Sequence, residues 1–124
     1  MQNTTKYYFS LLLLLVSLAI NAQIETKSTD DLYKEKIYEN CKKKIINYSL
    51  KDFDALFFEF FTKQNSASLT LTKEEYYNYT VQIAAFSDRL AFLYPNRKAE
   101  AVENKKVWMS KNYPDYLKTK ASKK

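Results

Sequence analysis

The most restrictive feature of this sequence is that its 124 residues include no glycine. Tight two-residue hairpin turns require positive φ angles, which glycine adopts at the lowest steric cost. An α-helix needs no residue in that conformation. The sequence therefore disfavours an all-β fold and predicts an all-α protein.

Two segments in the first half of the chain have apolar residues at helical spacing. The first predicted helix covers residues 30–47, and its apolar side consists of Tyr33, Ile37, Cys41 and Ile45. The second begins after Ser49, which can cap the helix together with Asp52 three residues later. Its apolar stripe consists of Phe53, Leu56, Phe57, Phe60 and Phe61. Residues 64–68 have the composition of a loop.

A third helix is predicted from Lys73 to about Tyr94. Thr72 and Glu75 have the spacing of a capping box, and Pro95 disfavours helical conformation in the residue before it. Only a narrow stripe of this helix is polar, formed by Glu75, Asn78, Gln82 and Arg89. A helix with so little polar surface is expected to be central.

The remaining chain is predicted to form a fourth helix from Pro95 to about Lys111. Pro114 then breaks or restarts the chain, and residues 116–117 add a docked turn. The predicted fold is a small antiparallel bundle of about four helices, with the third helix, at about residues 73–94, in its centre.

Small side chains form a seam along the third helix, at Thr80, Ala84, Ser87 and Ala91. The second helix offers a bulky ridge formed by Phe53, Phe57, Phe60 and Phe61. Because large and small side chains interdigitate well across a helix interface, the two helices are predicted to pack through this seam. A ligand groove lined by tyrosines is the alternative.

The N-terminus has the layout of a secretory signal. Lys6 precedes an apolar run from Tyr7 to Ile20, and Asn21-Ala22 provides the small residue of a cleavage site. The run is shorter than the roughly 20 residues of a spanning helix. We expect cleavage after Ala22, a periplasmic or extracellular location and no transmembrane segment in the mature form. An uncleaved signal anchor is the alternative.

The charge of the chain lies mainly outside this signal. The full sequence has a net charge of +6, and removal of residues 1–22 takes away one lysine and no acid, leaving +5. A chain of about 100 residues can form a single core without disulfides. The predicted organisation is a signal peptide at 1–22, one helical domain at 23–117 and a basic, solvated tail at 118–124.

Several kinds of active site are disfavoured by composition. The chain has no histidine and no glycine, so it lacks the commonest general base and metal ligand and every glycine-rich phosphate loop. The carboxylate pairs near helix N-termini have no accompanying base or nucleophile. No catalytic residue, metal ligand or cofactor is therefore predicted, and the protein is expected not to be an enzyme.

Two single residues carry specific hypotheses. Asp88 falls within the apolar arc of the third helix, where an unpaired carboxylate would be costly to bury. We expect it to bond a tyrosine or lysine of a neighbouring helix, and an active site built from Asp88 and tyrosines is the alternative. Cys41 is expected to be unpaired and buried in the core. An intermolecular disulfide is its alternative.

The candidate partner-binding residues are aromatic and basic. They are Phe58, Tyr77, Trp108, Lys118, Lys120, Lys123 and Lys124. Aromatic residues are enriched at protein interfaces, and clustered lysines attract acidic partners. The preferred function is an exported, non-catalytic binding or accessory protein for an unknown protein or an anionic envelope component, without specific nucleic-acid binding. A polyanion or membrane-surface binder acting through its lysines is the rival hypothesis.

Overall fold

The structure is a computed structural model that describes residues 27–122. Its helices are α1 (Thr29–Ile45), α2 (Leu50–Asn65), α3 (Lys73–Leu93), α4 (Lys98–Ser110) and α5 (Tyr113–Ser122), with a 3-10 turn at Pro95–Arg97. No strand occurs between residues 27 and 122, and the all-α prediction is confirmed. The predicted number of about four helices is one too few. The signal at residues 1–22, Lys123 and Lys124 lie outside the described residues.

The N-termini of α2 and α3 are fixed by local hydrogen bonds. The Ser49 hydroxyl accepts from the Asp52 amide at 3.0 Å, and the Asp52 carboxylate accepts from the Ser49 amide at 3.0 Å. Thr72 and Glu75 exchange the equivalent bonds at 3.2 and 2.8 Å. Both capping boxes are therefore confirmed. They satisfy amide groups that a helix N-terminus otherwise leaves without partners.

Helix α3 is the most buried helix of the described chain. Each of α1, α2, α4 and α5 contacts it. Its buried residues are Tyr76, Tyr77, Thr80, Val81, Ile83, Ala84, Ala85, Phe86 and Ser87. The predicted central position of the third helix follows from this burial.

The small-residue seam was predicted to pack against the second helix, and this prediction is wrong at Ser87, which contacts α4. The Ser87 hydroxyl accepts a hydrogen bond from the Asn104 side chain of α4 at 3.0 Å. The contact between α3 and α4 is the most extensive in the structure, because small side chains let two helices approach closely. Helix α2 instead packs Phe60 against Tyr76 and stacks Phe53 on Phe86 at a ring distance of 4.2 Å.

Helix α1 is joined to the end of α4 by a buried lysine. Lys34 is almost completely buried, and its ammonium donates to the Met109 and Lys111 carbonyls at 2.6 and 3.2 Å. Asp31 lies 3.3 Å from the same ammonium. A cation at a helix C-terminus satisfies carbonyls that have no partner within the helix and opposes the helix dipole.

The C-terminal segment forms a docked helix where a solvated tail was expected. Pro114 lies in the first turn of α5, where its missing N–H is tolerated. Tyr113 donates to the Leu71 carbonyl at 2.8 Å, and the Leu71 amide donates to Tyr116 at 2.9 Å. Lys120 is buried and donates to the Ser66 carbonyl. The expectation of a solvated end is thus wrong for Lys120, whereas Lys118, Thr119, Ala121 and Ser122 are exposed as expected.

Candidate functional site

The outer side of α2 exposes three aromatic rings, which we call the phenylalanine face. Phe57, Phe58 and Phe61 are 37%, 72% and 55% exposed, respectively. Lys51, Asp54 and Ala55 border the shallow depression between the rings. Contiguous exposed apolar surface commonly marks an interaction site, so this face is the best candidate for one.

The phenylalanine face exists because α2 carries more aromatic residues than one side can bury. Successive residues of a helix point about 100° apart, so Phe60 and Phe61 cannot both face the core, nor can Phe57 and Phe58. Phe60 is the buried member of its pair. Sequence periodicity placed Phe57 and Phe61 in the core, and the structure corrects both positions. The two adjacent Phe-Phe pairs were the signal that an outer face would form.

Trp108 supports this face from α4. Its ring lies 6.0 Å from the Phe57 ring and 5.9 Å from the Phe60 ring, both edge to face. The Lys111 ammonium lies 5.3 Å from the Trp108 ring. Trp108 is half-buried and packs against the core, so it positions Phe57 in addition to offering its own exposed edge.

Tyr77, another predicted surface residue, is completely buried. Its hydroxyl donates to the Asp30 carboxylate at 2.6 Å and accepts from the Tyr113 amide at 2.9 Å. Burial, together with the hydrogen bond to Asp30, raises the pKa of Tyr77 to about 12. The neighbouring residues of α1 and α5 enclose it, which excludes Tyr77 from a binding surface.

The predicted lysine site is only partly present in the described chain. Lys118 is exposed, whereas Lys120 is buried beside the Tyr116 ring, at 5.9 Å. Lys123 and Lys124 lie outside the described residues. Lys118 and Lys120 therefore do not form one exposed basic patch on α5.

Asp88 forms the predicted links to neighbouring helices. It accepts a hydrogen bond from the Tyr38 hydroxyl of α1 and bonds from the Lys105 ammonium of α4 at 3.1 and 3.2 Å. Lys105 also donates to the Tyr38 hydroxyl at 2.8 Å. The prediction of a tyrosine or lysine partner is confirmed, since Asp88 bonds one residue of each type.

This cluster has the electrostatics of a structural link. Burial, followed by the hydrogen bond to Asp88, raises the pKa of Tyr38. Burial acts to lower the pKa of Lys105, but its bonds to Tyr38 and Asp88 outweigh that effect and raise it. At neutral pH the tyrosine is therefore protonated and the lysine charged, and neither is available as a general base.

Cys41 is half-buried, which corrects the expectation of full burial. Its thiol contacts the Tyr38 carbonyl at 3.6 Å, and it packs against both hydrophobic clusters of the core. Burial raises the pKa of Cys41, so the thiol form predominates at neutral pH.

Two further properties concern the described part of the chain. Between residues 27 and 122, no three His, Cys, Asp or Glu side chains converge as a metal site requires. Over the same residues, no helix combines the length and the apolar character needed to cross a bilayer.

Compared with known proteins, the chain matches no family model, no curated protein and no solved structure.

Proposed function

We propose that the mature chain is an exported, non-catalytic binding protein that docks onto an apolar surface of a partner protein through the phenylalanine face. The observation that carries this proposal is the 72% exposure of Phe58 between two other exposed phenylalanine rings. Burial of a phenylalanine side chain contributes about 1.5–3 kcal/mol, and aromatic residues are frequent hot spots of interfaces.

The charges of α2 favour a protein partner over an anionic membrane. The phenylalanine face is bordered by one base and one acid, Lys51 and Asp54. Membrane-surface helices are instead rich in lysine and arginine on their polar face. A mixed-charge border around an apolar centre is the usual layout of a protein interface.

The other parts of the proposal come from the sequence. The apolar run before Ala22 supports export to a periplasm or the cell exterior. We interpret α1–α5, from Thr29 to Ser122, as one antiparallel bundle, which extends the domain predicted at residues 23–117. The bonds that engage Asp88 support a structural role for this residue, which is why we propose a binding function over an enzyme built on Asp88.

Immobilised mature protein can be tested for capture of partners from its own envelope fraction. Phe58→Ser and Phe61→Ser should each lose the captured partner while retaining the helix content and melting temperature of the parent. Phe92→Ser is the matched control, because Phe92 is 70% exposed on α3, outside the phenylalanine face. Equal loss in the control, or unchanged capture in the Phe58 variant, would contradict the proposal.

The second candidate function is a binder of polyanions or membrane surfaces. The observation that favours it is a basic last turn of α1, where Lys43 and Lys44 are exposed after Lys42. Binding through these lysines would weaken steeply with added salt, because counterions are released on binding. Binding through the phenylalanine face would depend little on salt. Measuring the binding affinity over a roughly tenfold range of salt concentration, from about 50 to about 500 mM, therefore distinguishes the two candidate functions.

A further inference from the structure

A polar groove lies on the other side of α2 from the phenylalanine face. It runs between α2, the polar stripe of α3 and the loop after α1, and it has a volume of about 600 Å³. This is within the range of about 300–1,000 Å³ that is usual for small-ligand sites. The residues that matter for its chemistry are Tyr48, Leu56, Glu59, Asn78, Tyr79 and Gln82.

The carboxylates of the groove are already bonded within the chain. Glu59 accepts from the Tyr79 hydroxyl at 2.6 Å and from Lys63 at 3.1 Å. These bonds, that of Tyr79 first, lower the pKa of Glu59. Asp52 and Glu75 accept from the backbone at the capping boxes. A cationic ligand would have to compete with these internal bonds for the carboxylates. The three carboxylates Asp52, Glu59 and Glu75 outnumber the two lysines of the lining, Lys44 and Lys63, which disfavours an anionic ligand, whereas an uncharged one meets neither obstacle.

Besides Lys44, whose ammonium lies 5.7 Å from the Tyr48 ring, the groups that remain for a ligand are neutral, planar amides. Asn78 and Gln82 lie one turn apart on α3, and both are half-buried. The Gln82 amide nitrogen donates to the Asn78 backbone carbonyl at 2.8 Å, which fixes the side chain and directs its carbonyl oxygen away from that bond. Side-chain amides supply both donors and acceptors, and hydroxyl groups of a ligand require both.

Apolar surface accompanies these amides. Leu56 and the rings of Tyr48 and Tyr79 form part of the same wall. A tyrosine ring combines an apolar body with a polar tip. A sugar ring has the matching construction, because its C–H face is apolar and its rim carries hydroxyl groups.

We propose that this groove binds a neutral oligosaccharide, with the sugar rings against the tyrosines and their hydroxyl groups bonded to Asn78 and Gln82. The site shares no ring with the phenylalanine face. The two proposals therefore succeed or fail separately.

The test titrates the isotope-labelled mature protein with cellotetraose, chitotetraose and maltotetraose, and with a heparin tetrasaccharide as the anionic probe. At least one neutral tetrasaccharide should bind and shift the amide signals of Asn78, Tyr79 and Gln82. The double variant N78A/Q82A should lose about tenfold in affinity, as expected for two lost hydrogen bonds. The control Asn40→Ala removes an exposed amide of α1 outside the groove and should bind as the parent does.

Melting curves establish that the double variant is folded, and Phe58→Ser should bind the sugar unchanged. Three results would overturn the proposal. They are the absence of binding by all three neutral sugars, binding of the heparin probe alone, and signal shifts that fall outside the groove.

Discussion

At the scale of single residues, Asp88 joins three helices through one carboxylate. It bonds Tyr38 of α1 and Lys105 of α4 while belonging to α3. The side chains of Asp88 and Lys105 are both partly exposed, so water can replace some of the lost bonding. The energetic contribution of this link should therefore be close to that of an exposed ion pair, with a small addition from Tyr38.

Asp88→Asn should lower the free energy of unfolding by about 0.5–1 kcal/mol, measured by urea denaturation. Asp54→Asn is the control, because Asp54 is exposed at the border of the phenylalanine face. A loss above about 3 kcal/mol would indicate a fully desolvated pair, contrary to the observed exposure. An unchanged stability would contradict the predicted contribution of the link to the free energy of unfolding.

Asp30 is expected to make the free energy of unfolding depend on pH in the acid range. Hydrogen bonds from Tyr77 and then from Lys73 lower the pKa of Asp30. A carboxyl with a lowered pKa stabilises the folded state above its unfolded value of about 3.9, and that stability is lost as the pH falls through the folded value. The melting temperature should accordingly drop below about pH 4. In Asp30→Asn the melting temperature should fall less steeply over this acid range. An equally steep fall in the variant would contradict the role of Asp30.

At the scale of elements, α5 depends on two tyrosines that bracket Leu71. The Leu71 amide is buried and donates to Tyr116. Tyr116→Phe leaves that amide without its partner, and an unsatisfied buried donor costs about 1–3 kcal/mol. The loss can be measured by chemical denaturation, with Tyr94→Phe as the control because Tyr94 is 42% exposed. If both variants lose the same amount, α5 is not held by this bond.

The seam of α3 can be tested by overpacking. Ala84 is fully buried on the helix that α4 contacts most closely. Ala84→Leu should destabilise the protein by about 1–3 kcal/mol, as extra methylenes do in a filled core. Ala99→Leu places the same side chain on the exposed side of α4 and should be nearly neutral. A melting temperature unchanged by Ala84→Leu would instead favour an open groove beside the seam.

At the scale of the whole molecule, export predicts a defined processed form. Intact-mass measurement of the exported protein should show that residues 1–22 have been removed, because a small residue ends the short apolar run at Ala22. Replacement of Ala22 by a bulky residue should slow the processing. Retention of Met1 in the exported species would identify the segment as an anchor.

Local signals in the sequence were sufficient for the starts of α2 and α3 and for the type of partner of Asp88, whereas the fourth helix begins at Lys98 and not at the predicted Pro95. Ser49 and Thr72 lie within one turn of the groups they cap, so their spacing alone is informative. The burial cost of a carboxylate likewise required a partner for Asp88. Helical periodicity in the sequence also identified the polar stripe of α3, whose residues Asn78 and Gln82 line the groove.

Non-local packing accounts for what the sequence did not reveal. Pro114 and the lysines after it suggest a solvated segment, but distant bonds make it a docked helix. These are the bonds of Tyr113 and Tyr116 to Leu71, of Tyr113 to Tyr77 and of Lys120 to Ser66. Periodicity also shows which side of a helix is apolar, but it does not show how much of that side the neighbouring helices bury. Phe61 was therefore assigned to the core, and Tyr77 to the surface, because the extent of the neighbouring helices was unknown.

The bond from Lys34 to the Met109 carbonyl spans 75 positions of the chain. A polypeptide that crosses a membrane N-terminus first delivers Lys34 long before Met109. On such a route α1 could pack against α3 as soon as residues 73–93 have emerged, but the bonds from Lys34 to the end of α4 could form only later. If the proposed export occurs in this order, the Lys34 link would be among the last contacts to form, and its late formation would keep the structure incomplete during translocation.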